Sequence, residues 1–269
     1  GNRLWIDEFA ERIGKDDGVQ QQYWDRRAPT FGGCATSAYV EGFLARAALL
    51  PGETVIDMGC GAGTLAIPLA ERGHRVVACD ISDIMLERLR ARAQEVGVAE
   101  SVDARRVSWL DDWDDLPVAD AFFASRSLVS RDLHATILKM EAHARRRCCM
   151  TLPTADSPMH DRTMLAAIGR PQVLTSECVY LFNLLFSMGR MPELSYLEHV
   201  KPTFGDTPAE IRAEFEREDG PFTPEESTAL GAFIAESFDF AQVTAENPRP
   251  RRAYSRPVRW ACVTWDVAR

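Results

Sequence analysis

A chain of 269 residues, 46% of them apolar, suits one large domain or one domain carrying an elaborate insertion, and excludes wholesale disorder. Its formal net charge of −9 argues against a nucleic-acid partner, which calls for a basic face. Seven cysteines, an odd number without a C-x-x-C pair, read as reduced thiols rather than as disulfides or a zinc site, and point to a cytoplasmic protein with no metal.

In chain order, residues 1–50 read as a helical cover. Leu4, Ile6, Phe9 and Ile13 mark a first helix, a segment with Tyr23 and Trp24 a second, and Tyr39 to Leu50 a third, stopped by Pro51-Gly52. No signal peptide is expected in this mixed, charged stretch. From 53 to 152 strands near 53–57, 75–80, 102–107, 119–124 and 146–152 alternate with helices near 63–72, 82–96 and 131–143. That alternation predicts a doubly wound, mostly parallel α/β sheet. Past Pro153 it breaks. Gln172 to Met188 reads as a helix apolar almost all round, too short for the ~20 residues of a membrane span. Residues 194–200 are ambiguous, a strand being one reading. Thr207-Pro208 and Thr223-Pro224 have the form of helix starts. Strands near 238–245 and 257–266 should close the sheet as an antiparallel pair. The expected organisation is a cover at 1–50, a main domain from 51–152 and 222–269, and a helical insertion at 153–221.

The most informative stretch is Asp57-Met58-Gly59-Cys60-Gly61-Ala62-Gly63-Thr64, which follows the apolar Thr54-Val55-Ile56 and leads into a helix. Glycine lacks a Cβ, so such a turn can take positive φ and let a ligand lie against its backbone. Twenty-three residues after Asp57, Asp80 closes the next strand, where α/β nucleotide folds grip a ribose. Gly61 to Ala66 also fits the dinucleotide pattern G-x-G-x-x-A, but Asp57 would lie beside an incoming pyrophosphate and repel it. The register D-x-G-x-G-x-G instead resembles the class I S-adenosylmethionine (SAM) methyltransferases, a Rossmann-like family whose cofactor has no phosphate and carries cationic groups.

That resemblance implies a methyltransferase acting by in-line displacement, with SAM as cofactor and S-adenosylhomocysteine as product. Asp57, Gly59, Cys60, Gly61 and Gly63 would lie under the methionine part of SAM, Asp80 would take the ribose hydroxyls, and Ile81 would face adenine. Leu110 to Pro117 resembles the acid-x-x-x-Leu-Pro segment of the ubiquinone/menaquinone-biosynthesis-type enzymes, so Asp112 and Trp113 would meet the adenine edge, with Asp111 a rival for Asp112. Ser125 and Arg126, at the carboxyl end of the fourth strand, would line the reaction centre. The asparagine/aspartate-Pro-Pro-aromatic box of the amino-methylating relatives is absent. His160, just past the fifth strand, is a candidate for catalysis or acceptor binding. The 153–221 insertion with 1–35 would cap a mostly apolar pocket whose polar groups come from Arg126, His160 or Tyr180. A small-molecule acceptor is expected. The rival readings are an RNA methyltransferase, suggested by Arg145-Arg146-Arg147 and the arginines of 249–259, and a SAM-binding regulator without catalysis. A homodimer is left open.

Overall fold

The computed structural model describes residues 17–28, 37–156, 160–171, 177–203, 205, 207–238, 240 and 255–267. The expected first helix at 4–13, Cys34 and most of the strand expected at 238–245 lie outside them. The chain divides into two compact units, one of Gly1–Leu152, Glu177–Leu197 and Ala261–Arg269, the other of Pro153–Ser176 and Glu198–Trp260.

Seven strands form one sheet in the order β3-β2-β1-β4-β5-β7-β6: β1 Val55–Met58, β2 Val76–Asp80, β3 Val102–Arg106, β4 Ala119–Ser125, β5 Ala144–Pro153, β6 Glu193–Pro202 and β7 Ser255–Asp266. The first five pair in parallel, with Val55 opposite Val76 and Ala121, and Phe122 opposite Cys148. The C-terminal strands run antiparallel. The ambiguous stretch at 194–200 is therefore a strand. β7 lies between β5 and β6, so among the described residues its partner strand on the outer side is β6.

In the first unit the helices are α1 Asp17–Arg27, α2 Ser37–Ala47, α3 Ala66–Glu71, α4 Asp83–Glu95, α5 Leu133–Ala142 and α7 Glu177–Ser187. Ser82 caps α4 by accepting the Met85 N–H, as its sequence position suggests. Ile56, Phe122, Met150, Leu181, Leu185, Val263 and Trp265 bury themselves in one core. Inside it Glu141 takes two hydrogen bonds from Arg190, at 2.9 and 2.6 Å, and one from Trp265 Nε1 at 3.0 Å. Three donors satisfy a carboxylate that burial would otherwise penalise.

The second unit packs α6 Arg162–Ala167, α8 Pro208–Asp219 and α9 Pro224–Ser237 around Met164, Ile211, Phe215, Leu230 and Phe233. Both expected helix starts are present: Thr207 caps α8, and Thr223 with Glu226 forms a full capping box on α9.

Candidate active site

The site begins where β1 stops. Gly59, Gly61 and Gly63 all have positive φ, at 74°, 54° and 88°. The loop between them is tied inward by its own amides. The N–H groups of Gly59 and Cys60 donate to the Cys79 carbonyl of β2 at 2.7 and 2.9 Å, and Gly63 N–H donates to the Cys60 carbonyl at 3.0 Å. Gly61 N–H donates to Asp80 Oδ2 at 2.8 Å. Arg92 on α4 clamps the Ala62 carbonyl from outside at 2.6 Å. A Cβ on Gly59 would overlap Ser127 Cβ, whereas one on Gly63 would strike Leu89 and Ile67. Gly59 thus allows a close approach from the loop after β4, and Gly63 allows helix-on-loop packing.

Two acids stand at the carboxyl ends of the central strands. Asp57 is 2% exposed, accepts the Ala66 N–H, and leaves Oδ2 with no hydrogen-bond partner. Burial, reinforced by the neighbouring Asp80, pushes its carboxyl up to about 7, against the pull of Ala66 N–H and Arg126. Asp80 is also raised by burial, and the Ser82, Gly61 and Ile81 amides counter that shift. Its two oxygens serve the scaffold, Oδ1 accepting from Ser82 N–H at 2.9 Å and Oδ2 from Gly61. Asp25 of α1 accepts from Ser82 Oγ at 2.5 Å and so fastens the cover helix beside the tip of β2.

Across the turn, β4 ends in a network of hydroxyls. Tyr39 of α2, 1% exposed, bonds through its oxygen to Ser125 Oγ at 2.7 Å and Thr151 Oγ1 at 2.9 Å. Burial raises the Tyr39 phenol above its usual range, so it stays neutral. Arg126 takes a left-handed conformation, φ 58°, and its N–H donates to Thr151 Oγ1 at 2.9 Å. Its guanidinium carbon sits 4.5 Å from the centre of the Tyr39 ring. Ser127 Oγ then donates to the Met58 carbonyl at 2.5 Å, closing the β4 loop onto the glycine turn.

Between these parts lies a cleft of about 1050 Å³, open solvent included. Asp57, Gly59, Cys60, Gly61, Asp80, Ile81, Ser125 and Arg126 all line it. Gly63 does not, because its contacts are with α3 and α4. Asp112 and Trp113 are not in the lining either. Trp113 is 4% exposed, stacks on Phe122 with ring centres 5.4 Å apart, and donates through Nε1 to the Ser108 carbonyl at 2.8 Å. Asp112 is exposed, and Asp111 is spent accepting the Ser108 N–H at 2.7 Å. Val107, Ser108 and Trp109 form that wall instead. Sequence reading also missed Gln20 and the run Ser127-Leu128-Val129, while Trp24 fits the anticipated cover. His160 belongs to the second unit, where its Nδ1 pairs with Asp219 Oδ1 at 2.7 Å. Tyr180 packs against the core of the first unit and is not a lining residue.

The arginine run that suggested RNA is engaged elsewhere. Arg146 holds Glu53 through two hydrogen bonds, Arg147 pairs with Asp266, and Arg145 lies 3.6 Å from Asp120. Among the described residues no helix is long and apolar enough to cross a membrane.

Charge decides what the cleft can hold. Among the described residues its charged lining is two acids and one arginine, and the amides of residues 59, 60 and 61 are already bonded within the protein. A pyrophosphate would find few donors and two repelling carboxylates there. A ligand with cationic groups and a diol fits. A family described as methyltransferase domain matches residues 55–147. A Haemophilus influenzae protein, itself described as uncharacterized, is 33% identical over 234 residues, 87% of this chain and 83% of that one. The ubiquinone biosynthesis O-methyltransferase of Hahella chejuensis is 42% identical over 66 residues, 24% of this chain and 27% of the relative. Geranyl diphosphate C-methyltransferase from Streptomyces coelicolor A3(2), crystallised with Mg2+, geranyl diphosphate and S-adenosylhomocysteine, shares the fold at a TM-score of 0.50. Its identity is 14%, over 91% of this chain and 83% of that one. Glycine turn, paired acids, strand order and relatives agree, and the chain belongs to the class I SAM-dependent methyltransferases.

Proposed function

We propose that this chain methylates a small molecule held in the cleft above Gly59, using SAM bound along the carboxyl edge of β1, β2 and β4. One observation carries the reading: Asp57, whose Oδ2 is buried and without a hydrogen-bond partner, lines a cleft that a cationic ligand fits. SAM supplies an activated methyl on a sulfonium, so the protein's task is mainly alignment, which can lower a barrier by ~7–11 kcal/mol.

In this reading Asp57 takes the cofactor's ammonium and ionises as it does so. Asp80 receives the ribose hydroxyls while keeping Gly61 in place. Ile81, Val107, Ser108 and Trp109 enclose adenine, a duty that moves away from Asp112 and Trp113. Trp24 from the cover helix, with Leu128 and Val129 after β4, offers apolar walls that exclude water from the acceptor. Ser125, its hydroxyl fixed by Tyr39, stands at the boundary between the cofactor and acceptor halves.

Calorimetry with S-adenosylhomocysteine and NADH tests the cofactor; binding of NADH alone would overturn the reading. Asp80→Ala should weaken S-adenosylhomocysteine by about ten- to a hundredfold, the loss of a charge-assisted bond of ~1.5–3 kcal/mol. It should also lower the apo melting temperature, because Asp80 accepts the Gly61 and Ser82 amides. Unchanged affinity in that variant would place the ribose elsewhere.

A further inference from the structure

Ser125 and Thr151 stand opposite each other in the β4–β5 register, and Tyr39 of α2 sets its hydroxyl between theirs. From the protons these three groups own we infer that they form a one-way chain, Thr151 to Tyr39 to Ser125, whose last proton is offered to the methyl acceptor. The acceptor that suits it is a small apolar molecule presenting a proton-free oxygen, such as a carbonyl. The inference rests on the function proposed above, and adds the chemistry of the acceptor to that reading.

The chain is fixed at its buried end. Thr151 is 1% exposed, and its Oγ1 already accepts the Arg126 N–H at 2.9 Å. Among the described residues the other partner of that hydroxyl is Tyr39, so the threonine proton is satisfied by pointing at the phenol oxygen. Any other direction would leave a buried donor unmet. The phenol passes the bond on. Part of its lone-pair density is drawn into the ring, so its oxygen accepts one bond well and its proton is the stronger handle. That single proton goes to Ser125, at 2.7 Å the shorter of these two contacts. Burial keeps it in place by lifting the phenol above its usual range. Ser125 thus receives a bond on the side of Tyr39, and its own proton is left for the cleft that it lines.

A serine held in this way gives a hydrogen bond and does not take the acceptor's proton, so it selects ligands by what they can accept. Hydrogen bonds in a chain polarise one another, which makes this donor stronger than an isolated serine. The apolar surfaces of Trp24, Leu128 and Val129 in the same cleft sharpen the choice, because a ligand oxygen left unmet beside them is costly. Tyr39 is outside the lining and acts through Ser125, as a positioning residue.

Neutron diffraction from deuterated crystals reads the chain directly. Deuterium should lie on Thr151 toward Tyr39, on Tyr39 toward Ser125, and on Ser125 toward the cleft. Deuterium on Ser125 pointing at Tyr39 overturns the inference. The acceptor class is read with two probes of one shape: acetophenone, whose carbonyl accepts a hydrogen bond, and α-methylstyrene, whose methylene does not. Ligand-observed NMR titrations follow each on protein loaded with S-adenosylhomocysteine. Ser125→Ala should weaken acetophenone about two- to tenfold, the worth of one neutral hydrogen bond, and leave α-methylstyrene unchanged. Ser125→Thr should keep the wild-type preference. Tyr39→Phe should lose part of it, since the serine proton is then free to turn away, whereas a merely structural role for Tyr39 would weaken both probes together. Equal weakening of the two probes by Ser125→Ala, or no binding of acetophenone to the wild type, overturns the acceptor class. So does a loss of S-adenosylhomocysteine affinity in Ser125→Ala, which would assign the donor to the cofactor. A wild type that ignores S-adenosylhomocysteine would sink the cofactor reading itself, and the deuterium positions would still decide the direction of the chain.

Discussion

Asp57→Asn should make the apo protein more stable at pH 8 while taking away most of its affinity for S-adenosylhomocysteine. The Asp57 carboxyl lies at about 7 in the folded protein, raised first by burial and then by Asp80, against an ordinary value of 3.8. A folded state that holds a proton more tightly than the unfolded chain is favoured at low pH. That advantage is complete below about pH 4 and is lost as pH rises through 7. By pH 8 the wild type has forfeited on the order of 2–4 kcal/mol that asparagine, which has no proton to lose, retains. Melting curves at pH 4 and pH 8 should therefore converge at the lower pH and separate by several degrees at the higher. Binding should show the reverse dependence. Below pH 7 the ligand's ammonium must first displace a proton, so wild-type affinity falls and protons are released on binding, a difference readable by calorimetry in two buffers. Equal melting temperatures at pH 8, or intact affinity in the variant, would refute this account of Asp57.

Gly59→Ala should be among the most damaging single changes in the glycine turn. A φ of 74° costs an L-residue roughly 1–2 kcal/mol by itself. The added methyl would also overlap Ser127 Cβ and sit 3.6 Å from Ser127 Cα, and a forced shift of packed atoms costs ~1–3 kcal/mol more. Ser127 cannot yield cheaply, because its hydroxyl secures the Met58 carbonyl. The sum is about 2–5 kcal/mol, with cofactor binding lost as well. Gly73 supplies the control: its φ is 87°, yet a Cβ there would meet nothing within 4 Å, so Gly73→Ala reports the backbone cost alone. Denaturant midpoints should fall further for Gly59→Ala than for Gly73→Ala, and adding Ser127→Gly should recover part of the difference. Equal losses at the two glycines would show that Ser127 is not the obstacle.

What could be read before the structure was whatever the chain encodes locally. Asp57, the glycines and Asp80 stand at the ends of two predicted strands, and their spacing alone puts them at one edge of a parallel sheet. The expectation at Asp112 and Trp113 departs from the cleft lining for a physical reason. Trp109 and Trp113 share one short acidic loop, and the left-handed turn at Trp113 (φ 66°) sends that indole into the core and leaves Trp109 on the cleft. No periodicity distinguishes the two. The Tyr39 network was invisible for a different reason, since its partners stand 86 and 112 residues away along the chain. Arg126 was legible as a position, at the end of β4, but its stacking on Tyr39 was not. The strand β6 escaped a firm reading because Leu194, Tyr196 and Val200 put their apolar side chains on the exposed face, the inverse of the usual alternation.

The first compact unit is spliced from three separate stretches of chain, with Glu177–Leu197 bracketed on both sides by residues of the second. Glu141, Arg190 and Trp265 come from one stretch each, so their shared ion pair and hydrogen bond join all three. No single cut can therefore release this unit as an intact polypeptide. A protease nick outside it leaves a complex of fragments rather than a shed domain, and a stop codon after Leu152 yields a sheet lacking β6 and β7. For such a chain the first unit is complete only once β7 has been synthesised, well after every described residue that lines the cleft.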